Sequence, residues 1–195
     1  MSEPITLEEL KAHLRITHDQ QDDQLEALIA TAREEVESET WRGLVDAART
    51  FQLRAFPDRS NGDQKIYLPY PPLRGVTSIT YRDGAGNEIE LDEDDYVVDA
   101  LHEPGTIEPA PGTTWPATED HPAAVVIECD TGYDDAEDVP AWAKHAIKLI
   151  AAELYNNDQP SPLAPPGGGT GVTRTTLDRL LDKRRLRHFG ILETV

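Results

Sequence analysis

Apolar residues recur at helical spacing in three stretches of the chain. Leu7, Leu10 and Leu14 mark one face of a short helix ending near Ile16, and Thr6 with Glu9 forms a capping-box pair at its start. After the polar turn His18–Asp23, Leu25, Leu28, Ile29, Ala32 and Val36 predict a longer helix over about 20–43, with Gly43 as its stop. Glu26, Arg33, Glu34 and Glu37 fall on the other face, as expected of a solvated surface opposite a buried stripe. Pro140 then opens a third helix, over about 140–156, on which Trp142, Ala143, Ala146, Ile147, Ile150 and Leu154 share a face.

Between these helices the period shortens to two. Phe51, Leu53 and Ala55 alternate as in a half-buried strand, and Lys65–Leu68 is a second short candidate. Pro69, Pro71 and Pro72 break any helix. Val76, Ile79 and Tyr81 lead into the turn Asp83-Gly-Ala-Gly-Asn87, and Ile89 and Leu91 leave it, which reads as a hairpin. Tyr96–Val98, Thr106–Ile107 and Ala124–Cys129 are further short strands. Residues 159–171 (QPSPLAPPGGGTG) read as a linker. Thr176 is placed to cap a final helix carrying Leu177, Leu180 and Leu181. The fold class expected is α+β, a helical body (1–45 and 140–157) with a β-rich insertion (46–139), a linker (158–171) and a C-terminal helical arm (172–195).

Composition adds the partners that this chain disfavours. The chain has 195 residues, with 18 Lys+Arg against 37 Asp+Glu and a formal net charge of −19. Generic binding to nucleic acid or anionic lipid needs the opposite balance. The excess is uneven. Residues 50–139 hold 5 basic and 20 acidic side chains, whereas residues 170–195 hold six basic and three acidic. Cys129 is the single cysteine, so neither an intrachain disulfide nor a CxxC pair is available. The acidic start MSEPITLEEL lacks the basic and apolar regions of a secretory signal, and the longest apolar run, Ala123–Ile127, is far too short to span a bilayer. A soluble protein made in a reducing cytosol, without membrane contact, is expected.

The candidate chemistry is thin. Asp130-Thr131-Gly132 matches the aspartic-protease tripeptide, in which two carboxylates share a proton, but Glu128, Cys129 and Tyr133 do not suit that loop. A strand ending in a turn, with Gly132 in a special backbone conformation, is the preferred reading. The runs at Gly84–Gly86 and Gly167–Gly171 lack the spacing of phosphate loops. Asp92–Asp95 and Asp134–Asp138 lack the alternate-ligand spacing of a calcium loop, and His13, His18, His102, His121 and His145 are not paired as zinc ligands. No catalytic residue, cofactor or metal site is predicted.

The order of short motifs is more informative than any one of them. Ile5-Thr6-Leu7-Glu8-Glu9-Leu10-Lys11, Leu14-Arg15-Ile16 and Leu25–Ala32 come first. Leu68-Pro69-Tyr70-Pro71-Pro72-Leu73, Val76–Tyr81, Tyr96–Asp99 and Gly105-Thr106-Ile107 follow. Trp115-Pro116, Val125–Ile127, Thr131-Gly132-Tyr133, Val139-Pro140 and Tyr155-Asn156 complete the series. Over about residues 5–157 this series resembles the head–tail connector (adaptor) family of long-tailed bacteriophages and prophages. The resemblance implies a structural, non-enzymatic subunit of the virion. Copies would form a ring, commonly of twelve, under the portal protein. The ring would extend the DNA channel without binding DNA specifically and meet the next neck or tail-completion protein.

In that setting the C-terminal arm is the candidate partner-binding element. Its basic residues are Arg174, Arg179, Lys183, Arg184, Arg185 and Arg187, and its apolar ones Leu177, Leu180, Leu181, Leu186, Phe189 and Ile191. Docking on portal or on a neighbouring copy is expected, because a closed ring needs two different complementary patches on each subunit. Truncation after Asn157 is expected to leave a folded body, and part of the acidic excess is expected to face the DNA channel. Two alternatives come from other classes: an acidic DNA mimic that inhibits a nucleic-acid-binding enzyme, and the protease.

Overall fold

The computed structural model describes residues 2–58, 64–158, 174–186 and 193–194. The chain divides into two compact units. Unit 1 comprises residues 1–45 and 133–185, and unit 2 comprises residues 46–132 and 186–195.

Unit 1 contains helices α1 (Leu7–Leu14), α2 (Asp22–Thr40), α3 (Ala141–Asp158) and α4 (Arg174–Asp182). Thr6 caps α1 as its sequence predicts, its hydroxyl accepting the Glu9 N–H at 3.2 Å. The Glu9 carboxylate does not return to the cap. It pairs instead with Lys148 on α3, 3.0 Å away. The helices stop earlier than expected, at residues that take left-handed backbone without being glycine: Arg15 (φ 60°) ends α1 and Trp41 (φ 56°) ends α2. Gly43 is therefore not the stop of α2. Leu10, Leu25, Ile29, Ala32, Val36, Ala143, Ala146, Ile147 and Ile150 form one core, which also takes in Ile5, Leu44 and Leu181. Residues 133–139, read from sequence with the β-rich segment, fall in this unit.

Leu181 changes the reading of the arm. Helix α4 belongs to unit 1, Leu181 is buried in its core, and Leu177 and Leu180 pack against that core. Removing everything after Asn157 therefore takes away part of the helical core, so truncation is a poor test of docking. The helix also begins at Arg174, which places Thr176 inside it rather than at its cap.

Unit 2 holds two antiparallel sheets. Strands β1 (Ala47–Leu53), β3 (Leu73–Arg82), β4 (Glu88–Glu90), β7 (Val125–Thr131) and β8 (Glu193–Thr194) form the first, in the order β4-β3-β7-β1-β8. Strands β2 (Ile66–Leu68), β5 (Tyr96–Asp99) and β6 (Gly105–Pro109) form the second, in the order β2-β6-β5. The period-two pattern is legible in β7, where Val125, Ile127 and Cys129 are buried while Glu128 is exposed. Phe51, Ile79 and Ile127 from the first sheet share a core with Ile66, Leu68 and Ile107 from the second. Phe56 closes it by stacking on Trp115, with centroids 4.7 Å apart, and the Trp115 indole N–H donates to the Gln64 carbonyl at 2.8 Å. The predicted hairpin at 83–87 is present. The Asp83 carboxylate accepts the N–H groups of Ala85 (2.8 Å) and Asn87 (2.9 Å), and Gly86 takes the positive φ of 82°.

Gly105 starts β6 directly beneath Leu73, where an added Cβ would lie 2.7 Å from the Leu73 Cβ. Backbone on both sides must therefore move to admit any side chain. Gly105→Ala is expected to lower stability by roughly 1–3 kcal/mol, the usual cost of overpacking, measured as a shift in denaturation midpoint.

Candidate functional site

The two units handle charge differently. In unit 1 several cations are paired with carboxylates of the same unit. Lys11 lies 2.6 Å from Asp19 and 2.7 Å from Asp22, and these carboxylates hold its ammonium above its ordinary pKa. Arg33 is enclosed by Glu3 (3.0 Å), Glu34 (3.4 Å) and Glu37 (3.0 Å). Glu37 is only 6% exposed, and its second oxygen accepts the Leu44 N–H at 2.6 Å. One buried carboxylate thus joins an arginine on its own helix to the turn that leaves that helix. The sequence suggested a solvated face for Glu37. Burial came instead from the return of the chain at Leu44, four residues past the helix end. Glu37→Ala should cost roughly 1–3 kcal/mol in chemical denaturation, because it removes the acceptor of the buried Leu44 N–H and one of three carboxylates around Arg33.

The basic residues expected to bind partners gather at the end of α4. Arg185 pairs with Glu39 and, at 3.6 Å, with Asp182. The Arg184 guanidinium lies over the Trp142 ring, 5.5 Å from its centroid, and its carbonyl accepts from Arg42 Nε at 3.0 Å. Arg179 and Lys183 are exposed and have no ion pair with another described side chain. Leu186 is half-buried and lies at the start of the C-terminal part of unit 2. Arg187, Phe189 and Ile191, also expected in this patch, lie outside the described residues, and of Arg174 only the backbone is described. The structure therefore brings together Arg179, Lys183, Arg184 and Arg185, while Leu177, Leu180 and Leu181 serve the helical core.

Unit 2 is acidic as well, and its acids are concentrated in one stretch. No Lys or Arg occurs between Arg82 and Lys144. Within that stretch Glu88, Glu90, Asp92, Glu93, Asp94, Asp95 and Glu103 are all exposed. Tyr96 registers their field. Its hydroxyl is held above its ordinary pKa by burial first, then by the charges of Glu93, Glu90 and Asp92.

A feature missed from sequence sits beyond β5. The Asp99 carboxylate accepts the N–H groups of Leu101 (3.0 Å) and His102 (3.3 Å), and its other oxygen lies 2.6 Å from His102 Nδ1. These bonds, led by the His102 contact, hold the Asp99 carboxyl below its ordinary pKa. They also fix a turn whose tip, Leu101, is 95% exposed. Val97, on the edge strand β5, is 51% exposed. The available signal was an isolated leucine within an acidic, proline-terminated turn.

The tripeptide Asp130-Thr131-Gly132 is a strand end. Buried Thr131 accepts from Arg49 Nε at 3.0 Å, and Gly132 takes φ 93° while its N–H donates to the Pro72 carbonyl at 2.9 Å. Among the described residues no group of three or more His, Cys, Asp or Glu side chains is placed to hold a metal, and no helix is long and apolar enough to cross a membrane. Cys129 faces the β core, and burial, followed by the nearby Asp130 charge, pushes its thiol up to about 12. A thiol in that state is a poor nucleophile. Folded protein should resist iodoacetamide at pH 8 and react once denatured, followed by mass spectrometry. Between about pH 9 and 12 only the unfolded thiol ionises, so this group's contribution to stability should fall across that window.

The α+β architecture of helical unit and two-sheet unit is shared with chains of GTA particles. The structure matches a chain from the virion of a native gene transfer agent (GTA) particle with TM-score 0.70 at 22% identity, covering 96% of this chain and 93% of that one. It matches a chain from the neck of an empty GTA particle computed with C6 symmetry with TM-score 0.68 at 20% identity, covering 98% and 96%. A third match, TM-score 0.65 at 22% identity and covering 95% and 91%, is to the neck of a native GTA particle computed with C12 symmetry. Residues 4–77 match the family described as Phage gp6-like head-tail connector protein. The head–tail connector resemblance read from the order of motifs is thus supported by a separate sequence comparison, and the α+β fold class stands. No curated protein sequence shows a significant match to the chain.

Proposed function

We propose that this protein is a structural head–tail connector subunit that forms a ring in the neck of a tailed phage or phage-like particle. The observation that carries the reading is the coincidence of two comparisons. The family match covers α1, α2 and the first strands, and the whole-chain fold match is to particles whose necks were computed with six- and twelvefold symmetry. Its role is structural rather than catalytic, and its place is the virion, at the junction of capsid and tail.

The finer assignments follow from charge and chain position. The ring sits under the portal protein, extends the DNA channel and meets the next neck or tail-completion protein. The acidic unit 2 suits a wall past which DNA slides, since carboxylates repel phosphates within about 8 Å at physiological salt. The basic end of α4 suits a docking patch on portal or on a neighbouring copy. The same acidity would serve a DNA mimic, but that reading explains neither the connector-family match nor the symmetry of the matched necks.

Mass determination in solution tests the reading. The full chain mixed with the portal protein of the same particle should give a ring-sized complex containing several copies of each. Absence of any association with portal protein, with capture of a DNA-binding enzyme instead, would overturn it in favour of the mimic.

A further inference from the structure

The first sheet of unit 2 turns one face to the core and the other away from it. Phe51, Ile79, Val125 and Ile127 are buried in the core, so the residues adjacent to them share the second face. The register sets Gln52, Val126 and Thr80 side by side across β1, β7 and β3, with Ser78 opposite Glu128 in the next row. Gln52, Ser78, Thr80 and Val126 are half-buried and line a groove of about 350 Å³. Most of these side chains are short, which leaves room for a longer one to enter. Glu88 and Glu128 stand exposed at the groove, and Arg82, the one cation lining it among the described residues, lies 4.0 Å from Glu88. The groove is therefore net negative. The Ser78 hydroxyl donates to one oxygen of Glu128 at 3.2 Å, which fixes that carboxylate and leaves its second oxygen able to accept.

A net-negative groove with a floor of short side chains fits long cationic ones. Arg179 on α4 and Lys183 in the turn after it are such a pair, four residues apart, exposed and without an ion pair to another described side chain. Lys11, Arg33, Lys148 and Arg185, by contrast, have carboxylate partners in their own unit. We propose that the end of α4 of one copy docks in the sheet groove of the next copy, with Arg179 and Lys183 facing Glu88 and Glu128. The inference rests on the connector reading and adds to it the pair of surfaces through which neighbouring subunits meet. Opposite charge selects the partner, and the aliphatic stems of the two cations pack on Val126. Groove and helix end are different surfaces of one chain, so the contact is heterologous. Such a contact closes into a ring when the rotation between copies divides a full turn.

The test uses the full chain, in which buried Cys129 is protected from thiol reagents. Thr80→Cys protein is mixed with Lys183→Cys protein at millimolar concentration and treated with a short bis-maleimide. A covalent heterodimer is expected, with little product from Thr80→Cys alone or from a control of Leu101→Cys, exposed outside the groove, plus Lys183→Cys. In sedimentation equilibrium Glu128→Lys and Lys183→Glu should each weaken self-association by roughly tenfold or more, the scale of a reversed charge pair. Both substitutions on one chain should recover much of that loss, which two folding defects would not do. A chain that stays monomeric at millimolar concentration, cross-links no better than the control, or is as weak in the double variant as in the singles overturns the proposal. If a ring-sized complex with portal protein forms and Glu128→Lys leaves its mass unchanged, this contact falls while the connector reading stands. Absence of any association with portal protein strikes the connector reading itself.

Discussion

The pairing of β1 with β7 is the constraint on which the rest of the structure depends. Ala47 lies opposite Thr131, so the β unit begins and ends on neighbouring residues of one antiparallel ladder. Helices α1 and α2 precede that ladder in sequence, and α3 follows it. Packing α3 against α2 across a free chain of some 85 residues would carry a length-dependent closure cost of about 4 kcal/mol. Sheet pairing from Ala47↔Thr131 to Leu53↔Val125 meets that cost within unit 2. The helical core of Leu25, Ile29, Ala146 and Ile147 can then form as though its two sequence segments were nearly contiguous. Thr131 and Gly132, which suggested protease chemistry, serve this closure. Thr131 is bound by Arg49 of the opposing strand, and Gly132 turns the chain out of the ladder.

Charge is arranged on the two units with similar economy. In unit 1, Lys11 and Lys148 join helices through carboxylates, and the buried carboxylate of Glu37 joins Arg33 to Leu44. Most of the acids of unit 2 fall in the long stretch after Arg82 that holds no Lys or Arg. An acidic sheet unit and a basic helix end on the same chain give a subunit two surfaces of opposite sign, the minimum needed for head-to-tail association. Strong net charge also discourages aggregation.

Much of the architecture was legible residue by residue. Helical spacing placed α1, α2 and α3 because each buries a continuous stripe, and period-two alternation placed β1, β3 and β7 because each has one buried face. Element ends were less legible. Trp41 and Arg15 end their helices in left-handed conformations that side-chain type does not favour, and tertiary contacts decide such positions. The arm shows the same limit. Residues Arg174–Asp182 form a helix there, but an apolar face reads alike whether it meets its own core or a partner. Leu181 meets its own core.

The sequence by itself determined the α+β class, the order of elements, the split of acidic and basic charge and the resemblance to head–tail connectors, because these depend on local periodicity and composition. Only the tertiary structure decided that β1 and β7 close the sheet unit, that Glu37 is buried, that α4 belongs to the helical core, and that Leu101 is presented on a fixed turn. Each of those depends on which distant segments meet. Burial and exposure are properties of that meeting, and no local pattern of residues encodes them.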